Sequence, residues 1–113
     1  MESILNSIKK LLGIMEDDEH FDQDIIIHIN SAFMILNQLG VGPEEVFTIQ
    51  DASDSWTDFI HGSQNIESVR TYVYLKVKLV FDPPQSSVVS EAYNKTLSEL
   101  EWRLNIASDK PKT

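Results

Sequence analysis

Two consecutive prolines set the strongest limit on how this chain can fold. They follow a long apolar run in "TYVYLKVKLVFDPPQSS", residues 71–87. Pro83 pushes Asp82 out of the α region, and neither proline has an N–H to donate. Whatever element passes through Tyr74–Phe81 must therefore end at or before Asp82. Leu75, Val77, Leu79 and Phe81 alternate as in a strand, but the same stretch also reads as a helix. Over 66–82, Glu67, Arg70, Tyr74 and Lys78 fall on one stripe at i+3 and i+4 steps. Val69, Tyr72, Val73, Leu75, Val77, Leu79 and Val80 take the rest of the circumference. A strand of this length would find only "VFTIQ" (46–50) to pair with, leaving a row of unsatisfied backbone groups. The helix is the better reading: one wet seam, with Lys76 reaching out of the apolar part. The structural joint is then Asp82, Pro83 and Pro84, with Ser86 or Ser87 capping a last helix over about 87–107.

The remaining elements follow from the same periodicity. Ile4, Leu5, Ile8, Leu11 and Leu12 have helical spacing and Gly13 is a natural C-cap, with Lys9 and Lys10 giving a thin cationic face. "EDDEHFDQD" (16–24) holds six acidic residues and reads as a solvated linker. It places Asp22 and Asp24 at the positive end of a helix over 24–39. Ile25, Ile29, Ala32, Phe33, Leu36 and Leu39 make that helix's buried stripe. The middle, 41–63, is irregular: Gly42-Pro43-Glu44-Glu45 suits a turn opening a short helical piece, and 46–50 is a β-like run. Ser55-Trp56-Thr57-Asp58 matches a capping box for one or two turns ending near Gly62. On the last helix, Val89, Ala92, Tyr93, Thr96, Leu97, Leu100 and Leu104 face the core. Trp102 points away from them, either half-buried against a loop or free as an interface anchor. The expected fold is all-α, a bundle of about four helices with an irregular middle segment. Residues 1–107 form one domain and 108–113 a disordered tail.

Chemistry is conspicuous by what does not converge. There is no cysteine, so thiolate metal sites, disulfides and cysteine nucleophiles are excluded. No glycine-rich phosphate cradle or Gly-x-Ser-x-Gly elbow is present. "EDDEHFDQD" lacks the order of a calcium loop, and His28 has no partner at ligand spacing. We expect no catalytic, cofactor-binding or metal-binding residues. Eighteen acidic side chains stand against nine basic ones, a net charge of −9, which argues against gripping a phosphate backbone. No stretch is long and apolar enough for a membrane span, and the chain reads as cytosolic and soluble.

"YVYLKVKLVFDPPQSSVVSEAYNKTLSELEWRLNIA" (72–107) resembles the C-terminal half of phage head–tail connector proteins, also called head-completion or adaptor proteins. The likeness lies in a Tyr/Leu/Val-rich helix entering the Asp82-Pro83 joint, and a last helix closing on Glu99-Leu100-Glu101-Trp102-Arg103-Leu104-Asn105. "LLGI" (11–14), the acidic linker and a long helix with Ala32 at its middle extend it over about 4–107. The middle section 41–63 does not map onto the family pattern.

That resemblance implies a structural, non-enzymatic part of the virion, assembled in the host bacterial cytoplasm. It would be a homo-oligomeric ring, twelvefold in the virion, below the portal protein. Such a ring extends the DNA channel without binding DNA specifically, and offers a surface to the tail or to a second connector protein. The candidate oligomer or portal interface residues are Trp56, Phe81, Trp102 and Arg103. The last helix and its tail are the expected portal-docking element. A different reading of the acidity is a regulatory or inhibitory protein that mimics DNA. The acids cluster mainly at 16–24 and 44–58, however, and do not form the long rows such mimics display.

Overall fold

The structure, a computed structural model, describes residues 2–59 and 66–108. Five helices and no strand occur among them: α1 (Ile4–Leu12), α2 (Asp22–Gln38), the single turn α3 (Trp56–Phe59), α4 (Ile66–Phe81) and α5 (Ser87–Ser108). The all-α reading is thus correct, and the apolar run before the prolines is helical. α4 ends at Phe81, where the pre-proline restriction requires.

Each boundary has a local cause. Ser3 caps α1 by accepting the Asn6 N–H at 3.2 Å, and Gly13 closes it in the left-handed region at φ 81°. Asp22 and Asp24 lie in the first turn of α2. Ser55 and Asp58 bracket α3 as a capping pair, with the Ser55 N–H donated to Asp58 Oδ2 at 2.9 Å. The expected end of this turn near Gly62 falls outside the described residues. At the joint, Ser86 Oγ accepts the Val89 N–H at 3.4 Å and opens α5.

The core is built by α1, α2, α3 and α4 together. Ile4, Leu5 and Ile8 meet Ile25, Ile29, Phe33 and Leu36 of α2, and Val69, Tyr72, Val73 and Val77 of α4. Phe33 is the centre of an aromatic cluster, with ring centroids 4.6 Å from Phe59, 5.2 Å from Phe47 and 6.2 Å from Trp56. α5 stands apart, packed mainly on α4. The result is a slab of 48 × 35 × 19 Å, thin enough for about two helix layers.

Several sequence expectations need correcting. Gly42, Glu44 and Glu45 form bends, not a helical piece, and 46–50 form no strand. The alternation in 46–50 is real, since Phe47 and Ile49 turn inward while Val46, Thr48 and Gln50 stay exposed. What replaces a partner strand is one side chain. Asn30 accepts the Ile49 N–H at 2.8 Å and donates its amide to the Ile49 carbonyl at 3.0 Å. On α4, Val80 is exposed, not buried. On α5, only Leu97 and Leu104 of the expected stripe are buried; Tyr93 and Leu100 are half-buried, and Val89, Ala92 and Thr96 are exposed. Packing mainly on α4 explains this, because one neighbour can cover only one seam of a helix; beyond it, Asn105 donates its amide to the Leu39 carbonyl at the end of α2, at 3.2 Å. On α1, Leu11 is exposed and Lys9 is fully buried, so Lys9 does not belong to a cationic face.

Candidate interaction surfaces

The described residues include no group of three or more His, Asp or Glu side chains that could hold a metal ion. No described helix is long and apolar enough to cross a membrane. What the fold offers instead is surface, so each candidate interface residue has to be placed on it.

Trp56 has almost none. It is 2% exposed. Its indole N–H donates to Ser7 Oγ at 2.8 Å, and Ser7 Oγ in turn donates to the Ile4 carbonyl at 2.9 Å. The Arg70 guanidinium sits 5.6 Å from the ring centroid and pairs with Glu2 Oε1 at 2.7 Å. Trp56 therefore ties the N-terminus to α4 as a core residue, and the isolated chain does not present it to a partner. Phe81 is half-buried, packed edge-on against Phe21 with centroids 5.3 Å apart. It steadies the end of α4 over the acidic linker and keeps some surface.

The joint is held by charge as well as by proline. Asp82 Oδ2 accepts the Lys78 ammonium at 2.9 Å, and the Asp82 N–H continues the helix by bonding to the Lys78 carbonyl at 3.0 Å. The side-chain bond to the Asp82 carboxylate holds the Lys78 ammonium above its usual pKa, outweighing its slight desolvation. Exposed Val80 and Val88 flank the joint.

α5 carries the freest face. Leu97 and Leu104, seven residues apart, form its seam on α4. A partly buried polar link reinforces that seam, as Tyr72 of α4, itself fully buried, donates its hydroxyl to Glu101 Oε2 at 2.7 Å. Burial first, and then the adjacent carboxylate, push the Tyr72 hydroxyl well above the ordinary tyrosine range. Trp102 and Ile106 lie on the opposite side, 65% and 52% exposed. Between them Arg103 pairs with Glu99 at 2.7 Å in full view of solvent. Of the two alternatives for Trp102, it is the exposed one that the structure shows.

A second apolar surface escaped the sequence reading. On α2, Asp24, Ile27, Ser31, Met34 and Gln38 are all exposed at i+3 and i+4 steps, directly opposite the buried stripe. Ile27 and Met34 are 60% and 52% exposed. The spacing was legible, but it was eclipsed by the stronger stripe of the same helix.

Charge is also segregated between the two halves of the fold. Residues 2–59 carry twelve acidic and two basic side chains, whereas residues 66–108 carry five of each. One of the two basic groups in the first half, Lys9, is spent internally on Asp22 at 2.8 Å and on the Glu16 carbonyl at 3.0 Å.

The slab thus presents exposed apolar side chains along both α2 and α5. Comparison with known proteins supplies the family. No curated protein and no solved structure matches the chain. The family model for the phage connector protein matches residues 4–111, which takes in all five helices. The chain belongs to the phage connector protein family, and its part is that of a structural connector.

Proposed function

We propose that this connector works as the repeating unit of a ring below the phage portal. The ring lengthens the channel through which DNA passes and gives the tail, or a tail-completion protein, its docking surface. The observation that carries this reading is family membership over 4–111. The physical features are consistent with it. A ring unit needs two different lateral faces, because a closed head-to-tail assembly is made of heterologous contacts. Exposed apolar residues on both α2 and α5 supply them. A conduit for DNA must not hold phosphate tightly, and a net charge of −9 disfavours such contacts.

The test is removal of the protein from the phage that encodes it. Heads should fill with DNA, then leak and fail to join tails; particles that assemble normally without it overturn the reading. A complementary measurement is binding of the purified chain to the portal.

A further inference from the structure

We propose that successive copies join edge to edge, with the outer stripe of α5 seated on the outer stripe of α2 of the next copy. The proposal rests on the ring reading above and names the two surfaces that close it. Three observations lead to it.

The first is position. α4 contacts both α2 and α5 and lies between them. Ile27 and Met34 face away from the core on α2, and Trp102 and Ile106 face away from α4 on α5. The two stripes therefore sit on opposite edges of a slab only 19 Å thick. A contact joining opposite edges repeats itself along a line or closes into a ring.

The second is apolar exposure. These four side chains are each at least half exposed and occur as pairs at i+4 or i+7 on regular helices. That spacing lets one helix lie along another. Ser31, between Ile27 and Met34, is small. Its hydroxyl is already bonded to the Ile27 carbonyl at 3.0 Å, so a partner helix can approach without stranding a polar group.

The third is charge, and it decides the occupant. Of the α2 acids Asp22 is paired with Lys9 and Asp24 stands on the outer stripe, where no Lys or Arg answers it, while α5 mixes Lys95 and Arg103 with Glu91, Glu99 and Glu101. Two α2 edges meeting each other would bring Asp24 no cation to answer it. An α5 edge brings the missing cations, and Arg103 can exchange its exposed Glu99 for Asp24 of the neighbour at little loss, since exposed pairs are weak. Every Lys or Arg in the described residues apart from Lys9 and Lys10 lies on α4 or α5. A contact that answers the acids of the first half therefore brings the second half of another copy to it.

The natural absence of cysteine makes a clean test possible. Phage particles are assembled with Ile27→Cys, with Ile106→Cys or with both in one chain, then purified, exposed to copper-catalysed oxidation and resolved without reductant. The double variant should give a ladder of covalent multimers, and each single variant should stay monomeric. Covalent dimers from Ile106→Cys alone would mean that α5 pairs with α5, which overturns the proposal. A double variant that forms a ring visible in particle images but no ladder overturns these two faces and leaves the ring standing. Particles that are competent yet show no ring take both readings down. As a check from charge alone, Arg103→Glu should reduce the recovery of the ring on heads, and Asp24→Lys in the same chain should restore it. No rescue would overturn the assignment of Asp24.

Discussion

Lys9 shows how much a single side chain on the wrong side of a helix can hold together. Its stem is fully buried beside Ile8 and its ammonium ends between Asp22 Oδ1 and the Glu16 carbonyl. It thus pins both ends of the acidic linker to α1. Its partner is less enclosed: the Asp22 side chain keeps 20% of its surface. Losing one member of a buried pair strands the other, and the stranded charge dominates the result. Asp22→Ala leaves an ammonium in the core, whereas Lys9→Met leaves a carboxylate that water still reaches and fills the stem's space with carbon. Urea titration should show Asp22→Ala to be the worse change, by about 2–4 kcal/mol relative to the native chain. Lys9→Met should lose no more than half of that. Equal losses would mean that the pair contributes nothing beyond packing. None of this was legible in the sequence, where Lys9 and Lys10 are neighbours of the same type on one short helix. Only the path of the linker, which returns Asp22 over α1, tells them apart.

Helices were the legible elements, and the reason is physical. α1, α2 and α4 bury wide stripes, so their periodicity is strong, and proline or glycine marks their ends. The segment 46–50 was misread because alternation signals inward and outward side chains, not a partner strand. Asn30 meets the backbone of Ile49 in place of that strand, and an asparagine on a helix gives no local sign of such a role. α5 was over-read for the opposite reason, its apolar residues being more numerous than its single seam can cover. That seam has a pH signature. Tyr72 is protonated in the fold to well above the ordinary tyrosine pKa, while in the unfolded chain it ionises near 10. Below about pH 10 both states hold the proton and the contribution is fully present. Above that the unfolded state releases it first, so this residue lowers stability by about 1.4 kcal/mol per pH unit until the folded state also ionises. Tyr72→Phe should cost about 1–2 kcal/mol at neutral pH through loss of the bond to Glu101. It should also remove this component of the alkaline decline, so that the two denaturation midpoints converge as pH rises above 10. Curves that stay parallel would mean Tyr72 ionises normally.

The charge of the whole molecule finally bears on where a connector can present its acids. With α2 and α5 taken as lateral edges, the loops at 16–21 and 44–54 remain off those contacts, and they hold eight of the chain's eighteen acidic residues. A ring repeats those loops once per subunit. If they line the channel, each copy adds to one negative field around a negatively charged polymer, which lowers its residence on the wall. Phosphate binding rises steeply with each cation offered, so the effect of reversing these loops should be large and salt-dependent. A chain carrying Asp17→Lys, Asp18→Lys and Glu19→Lys, all at exposed positions, should still fold and join heads. Purified, it should retain DNA at low ionic strength where the native chain does not, and release it on adding salt. In particles it should slow ejection of the genome. Ejection at the native rate from particles that contain the reversed ring would place these loops on its outer wall, leaving the channel to be lined by the balanced α4–α5 half.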